Sequence, residues 1–291
     1  MQEAESVGFI GLGLMGRPMA LNLLKRGFKL VVHSRSRGPV DELVAAGAQA
    51  ASSPAEVARR ARRIVTMLPD SPDVAKVLEG PDGVFGALQP GTLLIDCSTI
   101  APAEARRLAE RATSLGAAML DAPVSGGEIG AINASLSIMV GGEADAFALA
   151  RPIFDAMGNP ERVVLIGPSG SGQICKVCNQ LVIGGALAAV GEAFGLARKA
   201  GVDPAKVRAA LLGGFAASRV LEVHGERILQ ENYKPGFRAV LYQKDMRIAA
   251  KTLAEHGAQA PVTTLMKDLV DRFVAQGRGE QDYSGVATLL L

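Results

Sequence analysis

Short apolar runs alternate with longer segments of helical period through the first half of the chain. Residues 7–10 read as a strand, 15–25 as a helix stopped by Gly27, and 29–33 as the next strand. A helix is expected near 40–46, a short element around 55–61, and a strand over 64–68 that ends in the sharp loop Pro69-Asp70-Ser71-Pro72. The pattern continues with helix 73–78, strand 93–97, a helix from Pro102 to Leu115, strands 118–121 and 136–140, helix 143–157 and strand 163–166. Proline at the first turn suits the helix that begins at Pro102. Repeated strand–helix units predict an α/β fold with a doubly wound, mostly parallel sheet.

From residue 167 onward the pattern changes to helix only. Segment 167–201 opens in a glycine- and serine-rich turn (Gly170, Gly172) and then runs without proline, a rod of roughly 40 Å at ~1.5 Å per residue. Ile174, Val177, Leu181, Leu187, Val190, Phe194 and Leu196 fall on several sides of it, so burial on most faces is expected. Helices near 204–212, 218–229, 240–254, 261–274 and 283–290 follow, separated by Gly213-Gly214, Lys234-Pro235-Gly236 and Gly257. Two domains are expected, residues 1–168 and an all-α domain 169–291 that starts with the long linking helix. The aliphatic surfaces of the second also suit a homo-oligomer.

Composition narrows the function classes. The 291 residues carry a net charge of +2 with both signs interspersed, so no basic stripe points to nucleic acid. The opening MQEAES is acidic and polar, unlike an ordinary signal peptide. The longest charge-free apolar run, 177–191, falls short of the ~20 residues a membrane span needs. Three cysteines without a framework (Cys97, Cys175, Cys178) fit a reduced, cytoplasmic compartment. Cys175 and Cys178 form a C-x-x-C inside a helix, read as packing, with metal or redox chemistry as the alternative. The histidines do not cluster, and no metal site is expected.

Two places carry candidate chemistry. Gly11-Leu12-Gly13-Leu14-Met15-Gly16 is a G-x-G-x-x-G between a strand and a helix, with a second strand close behind. In that context the glycines bring the backbone to a pyrophosphate at a helix N-terminus, so a dinucleotide cofactor is expected; a glycine turn used only for packing is the alternative. The second strand ends in His33-Ser34-Arg35-Ser36-Arg37, with no carboxylate before Asp41. Hydroxyls and arginines there suit a 2′-phosphate, hence NADP over NAD; the alternative is a solvated basic turn. The loops Met67-Leu68-Pro69, Ser98-Thr99 and Pro123-Val124-Ser125-Gly126-Gly127 lie at carboxyl ends of strands, where ligands of such sheets sit. Ser125, Gly126 and Gly127 offer N–H groups to a carboxylate. Lys176, at an apolar helix start, is the candidate proton donor, with Asn179 on the same helix face; a lysine reaching solvent is the alternative.

The segments GFIGLGLMGRPMALNL (8–23), DAPVSGGEIGA (121–131), GSGQICKVCNQ (170–180) and Lys244-Asp245 resemble the β-hydroxyacid dehydrogenase family along essentially the whole chain. The resemblance implies a Rossmann domain, a long linking helix and an all-α domain. It makes Lys176 the catalytic acid/base and Ser125, Gly126 and Gly127 the carboxylate site. It also puts Thr99 by the nicotinamide, Lys244 near the cofactor, and Arg35 with Ser36 on the 2′-phosphate. The family's catalytic amide falls on Asn179 in some members and on the position of Gln180 in others. Asn133-Ala134-Ser135 departs from the glycine–threonine of many members. Among the branches, MLPDSP (67–72), IDCSTIAP (95–102) and YKPGFR (233–238) look most like the tartronate semialdehyde reductases, then the 3-hydroxyisobutyrate dehydrogenases. The implied partner is a small carboxylate-bearing hydroxy acid or semialdehyde. A non-catalytic dinucleotide-dependent binding protein is the alternative of a different class.

Overall fold

The computed structural model describes residues 6–291; the acidic opening, 1–5, lies outside them. The chain divides into two compact units, one ending at Lys176 and the other spanning Val177–Leu291.

In the first unit, β1 (Val7–Ile10), α1 (Gly16–Lys25), β2 (Leu30–His33), α2 (Arg37–Ala45), β3 (Gln49–Ala50), α3 (Pro54–Arg60), β4 (Arg63–Thr66), α4 (Ser71–Glu79), β5 (Leu93–Asp96), α5 (Pro102–Ser114) and β6 (Ala118–Asp121) alternate. Then come β7 (Val124–Ser125), α6 (Gly127–Ile132), β8 (Leu136–Gly141), α7 (Ala144–Met157) and β9 (Gly158–Gly167). The strands form one sheet in the order β3-β2-β1-β4-β5-β6-β8-β7, with β9 paired to β8. Every pair from β3 through β6 is parallel, as is β8 with β9; β8 meets β6 and β7 antiparallel.

The strands are apolar on both faces because helices cover both. Phe9, Val65 and Ile95 pack with Met19 and Leu23 of α1 and Phe154 of α7. Their neighbours Ile10, Ile64 and Leu94 point the other way, to Val57 of α3, Leu78 of α4 and Leu108 of α5. Helix starts are written locally. Ser53 caps α3 by accepting from Glu56 N, Pro54 follows, and the Glu56 carboxylate reaches back to Ser52 N at 2.7 Å. Asp70 precedes α4 and its carboxylate accepts from Ser71 N at 2.7 Å, with Pro72 in the first turn.

Two expectations need correction here. The segment 123–127 is not a plain loop: Val124 and Ser125 pair with Ile138 and Ser137, and α6 starts immediately after. A two-residue strand and a six-residue helix are too short to show a period. The strand 64–68 ends at Thr66, leaving Met67 and Leu68 beyond it. The departure at Asn133-Ala134-Ser135 has a backbone cost: Ala134 sits at φ +50°, where glycine would be unstrained.

The helix α8 (Ser171–Lys199) begins in the first unit and continues in the second. By length and composition alone it could cross a membrane, but its Leu187, Val190 and Phe194 belong to a protein core. That core is completed by α9 (Pro204–Leu211), α10 (Arg219–Leu229), α11 (Ala239–Glu255), α12 (Pro261–Phe273) and the 3-10 segment Tyr283–Leu290. Burial of α8 on most faces does not hold: Val182 and Leu196 are 73% and 71% exposed and Cys178 is exposed. These three recur near whole helical turns and share one side, while the core takes the other.

Candidate active site

The glycine turn after β1 has the geometry a dinucleotide needs. Gly11 sits at φ +98°, and a Cβ on it would strike the Met67 carbonyl. A Cβ on Gly16 would strike the Gly11 carbonyl, so α1 packs directly onto the turn. A Cβ on Gly13 would meet nothing within 4 Å, and this is the open side where a pyrophosphate can approach. No side chain caps α1 and no acidic residue lies in its first turn, which leaves its positive end to an anion. Leu12 is buried, whereas Leu14 is exposed and Met15 half-buried.

At the end of β2, Ser34 Oγ lies 3.5 Å from Leu12 N, and Ser36 is the residue before α2. Arg37 turns into α2 and is held by Asp41 at 2.7 Å. Arg35 is highly exposed and only 3.8 Å from Asp73, a pairing that costs little to exchange for a phosphate.

The loops after β4, β5 and β6 are tied together by buried polar groups. Leu68 N donates to Ser98 Oγ at 2.9 Å. Thr66 Oγ1 and Ser98 N donate to Asp96 Oδ1 at 2.7 and 3.1 Å. Asp96 Oδ2 is buried and finds no hydrogen-bond partner among the described residues. Burial pushes the Asp96 carboxyl up to about 6, against the pull of those bonds. Thr99 follows, half-buried. Cys97, fully buried, has its thiol pushed up by desolvation, as a packing cysteine should.

The candidate proton donor faces the candidate anion loop. Lys176 is buried, and its Nζ donates to the Val124 carbonyl at 2.9 Å, one residue before Ser125. It is therefore not a lysine reaching for solvent. Gly126 and Gly127 take φ +138° and +63° and turn the chain into α6. Asp121 anchors the start of α8: its carboxylate accepts from Gly170 N at 2.7 Å and Gln173 N at 2.9 Å. Burial nevertheless raises its carboxyl. A Cβ on Gly172 would collide with Met139 O and Asp121 O, so the helix starts flush against the ends of β6 and β8. Asn22, buried on α1, donates to Ala131 O at the end of α6 at 2.7 Å.

The other candidates lie in the helical unit. Asn179 Nδ2 donates to Gln180 Oε1 at 2.7 Å, and Gln180 Nε2 to Asp245 Oδ2 at 2.5 Å. Lys244 pairs with Asp245 at 2.9 Å, and Tyr242 OH donates to Gln180 O at 3.0 Å. Asn179 and Lys244 are thus joined through Gln180 and Asp245. Asn22, Asp96 and Gln173 stand inside the segments 8–23, 95–102 and 170–180 that carry the family resemblance, but the sequence reading assigned none of them a role.

Residues 6–167 match the family described as the NAD binding domain of 6-phosphogluconate dehydrogenase. Residues 170–290 match the NAD-binding domain of NADP-dependent 3-hydroxyisobutyrate dehydrogenase. A 2-hydroxy-3-oxopropionate reductase of Escherichia coli is 43% identical over 98% of this chain and 96% of its own. The chain belongs to the β-hydroxyacid dehydrogenase family. An NAD-dependent L-serine dehydrogenase of Pseudomonas aeruginosa is 40% identical over 98% of this chain and 97% of its own. The structure of a 3-hydroxyisobutyrate dehydrogenase of Mycobacterium tuberculosis with L-serine superimposes with a TM-score of 0.91 at 32% identity, covering 99% of each chain. This β-hydroxyacid dehydrogenase is accordingly an oxidoreductase with an NAD(P)-binding Rossmann domain followed by a helical domain.

Proposed function

We propose that this dehydrogenase is an NADP(H)-dependent reductase that interconverts 2-hydroxy-3-oxopropionate (tartronate semialdehyde) and D-glycerate. The carrying observation is the buried Lys176 Nζ held 2.9 Å from Val124 O, next to Ser125. Residues 1–168 hold the dinucleotide, through Gly11, Leu12, Gly13, Leu14, Met15 and Gly16 at the pyrophosphate and Ser34, Arg35 and Ser36 at the 2′-phosphate. Met67, Leu68, Pro69 and Thr99 line the nicotinamide side. Residues 169–291 bring Asn179 and Lys244 to substrate and cofactor and form the homo-oligomer; the enzyme works in the cytoplasm.

When bound, the cofactor gives or takes a hydride at nicotinamide C4. Ser125, Gly126 and Gly127 hold the substrate carboxylate through N–H groups and the Ser125 hydroxyl. In reduction Lys176, as ammonium, gives a proton to the oxygen that becomes alkoxide; in oxidation its amine takes that proton back. The Val124 carbonyl accepts one N–H of Lys176 and so fixes where Nζ lies. Asn179 orients the reacting oxygen.

The name of the E. coli relative favours a hydroxyl beside the substrate carboxylate. The M. tuberculosis neighbour favours 3-hydroxyisobutyrate, with a methyl there, as the second reading; glyoxylate and succinic semialdehyde complete the class. Initial rates with NADPH on tartronate semialdehyde, succinic semialdehyde and glyoxylate, and with NADP on D-glycerate, 3-hydroxyisobutyrate and L-serine, decide among them. The highest kcat/KM is expected for tartronate semialdehyde. Lys176→Ala is expected to lower kcat about 10²- to 10⁴-fold with cofactor binding kept; near-wild-type turnover would remove Lys176 from the chemistry.

A further inference from the structure

We propose that Gln173 is a positioning residue for the reaction above, clamping the backbone on both sides of Thr99 to the helix that carries Lys176. This rests on the functional reading just given. Gln173 Nε2 donates to Ser98 O at 2.8 Å, and Ile100 N donates to Gln173 Oε1 at 3.2 Å. The two bonds straddle Thr99, so they set both its depth and its rotation. Gln173 is fully buried, a costly place for an amide unless both ends are satisfied. A methionine of similar volume would fill the space but leave the buried Ser98 carbonyl and Ile100 N–H without their partner, so the amide's contribution is direction rather than filling.

The same residue is also tied to the end of β6. Its backbone N–H donates to Asp121 Oδ2 at 2.9 Å. Ser98, whose carbonyl it holds, accepts from Leu68 N through its hydroxyl. Lys176 lies three residues further along the helix, on the same face, with its Nζ on the Val124 carbonyl. One side chain therefore registers the nicotinamide-side loop against the proton donor. Where two groups must be held at a set distance, a 1 Å misplacement can cost about 10²-fold in rate.

Two variants separate positioning from packing. Gln173→Met keeps the volume and removes both bonds. Gln173→Glu is switchable: the neutral acid donates to Ser98 O and accepts from Ile100 N, but the carboxylate only accepts and faces the Ser98 carbonyl. The charged groups around it are Asp121, which binds Gln173 N; Asp96, whose Oδ1 binds Ser98 N; Lys176 on the same helix; and Arg106, packed at Gly170.

Wild-type turnover is measured first, and its absence on every compound of the panel counts against the functional reading alone. Bound NADPH emission and Kd are read in all three proteins without substrate. Gln173→Met is expected to keep Kd within about 3-fold, change the emission of bound NADPH, and lower kcat about 10- to 100-fold with KM little changed. Gln173→Glu is expected to be as poor at high pH and to regain activity as pH falls, relative to wild type at each pH. Wild-type emission and kcat in Gln173→Met, or a Gln173→Glu profile parallel to wild type, would overturn the proposal.

Discussion

At the scale of single residues, Asp96 is an acid whose burial penalises its own ionisation. One oxygen accepts from Thr66 and Ser98, and the other is buried with no hydrogen-bond partner among the described residues. With its carboxyl near 6 in the folded protein and near 3.9 in an unfolded chain, the folded state binds the extra proton between those values. Stability from this group is therefore fully present below about pH 4 and is lost as pH rises through about 6. The difference amounts to about 3 kcal/mol at neutral pH. Asp96→Asn keeps the acceptor at Oδ1 and cannot ionise. Urea unfolding at several pH values should give equal stabilities near pH 4 and a variant more stable by up to that amount at pH 7. A constant difference across the range would mean that Asp96 ionises without penalty.

At the scale of elements, the tie between α1 and α6 is the least visible from sequence and the easiest to test. Asn22 crosses from α1 to the last carbonyls of the helix that follows the candidate anion loop, at 2.7 Å to Ala131 O and 3.5 Å to Ile132 O. Asn22→Ala should cost about 1–3 kcal/mol, because the buried Ala131 carbonyl loses its donor, and should raise KM for the carboxylate substrate. Unchanged urea midpoint and KM would leave the tie without consequence. Legibility follows the same logic. The long elements were readable because parallel strands covered on both faces are apolar runs and their helices are amphipathic. The two-residue strands Gln49–Ala50 and Val124–Ser125 exist only through pairing with Val31–Val32 and Ser137–Ile138, which no local pattern announces. Gly11, Gly13 and Gly16 could be recognised because their work is local backbone geometry. Asp96 and Gln173 could not, because their roles lie in partners up to 75 residues away.

At the scale of the whole molecule, each compact unit has its own hydrophobic core, and only the first carries the glycine turn and the basic end of β2. A ligand that binds the folded state stabilises what it binds by about 2.7 kcal/mol at 100 times its Kd. For a unit of 150–250 residues that is a rise of roughly 5–10 °C in Tm. Calorimetry of the full chain with NADPH should therefore move the transition of the unit ending at Lys176, and move the other only as far as the two unfold together. NADH at the same concentration should move it less, because Ser34, Arg35 and Ser36 offer hydroxyls and a guanidinium but no carboxylate to a ribose 2′-hydroxyl. Arg35 is the discriminating group in this reading, since its guanidinium lies 3.8 Å from Asp73 whereas Arg37 is 2.7 Å from Asp41 within α2. Arg35→Ala should then bring the NADPH shift down to that of NADH while leaving the NADH shift in place. Equal shifts from the two cofactors in the wild type would show that the basic turn reads no 2′-phosphate and that the preference for NADP is wrong.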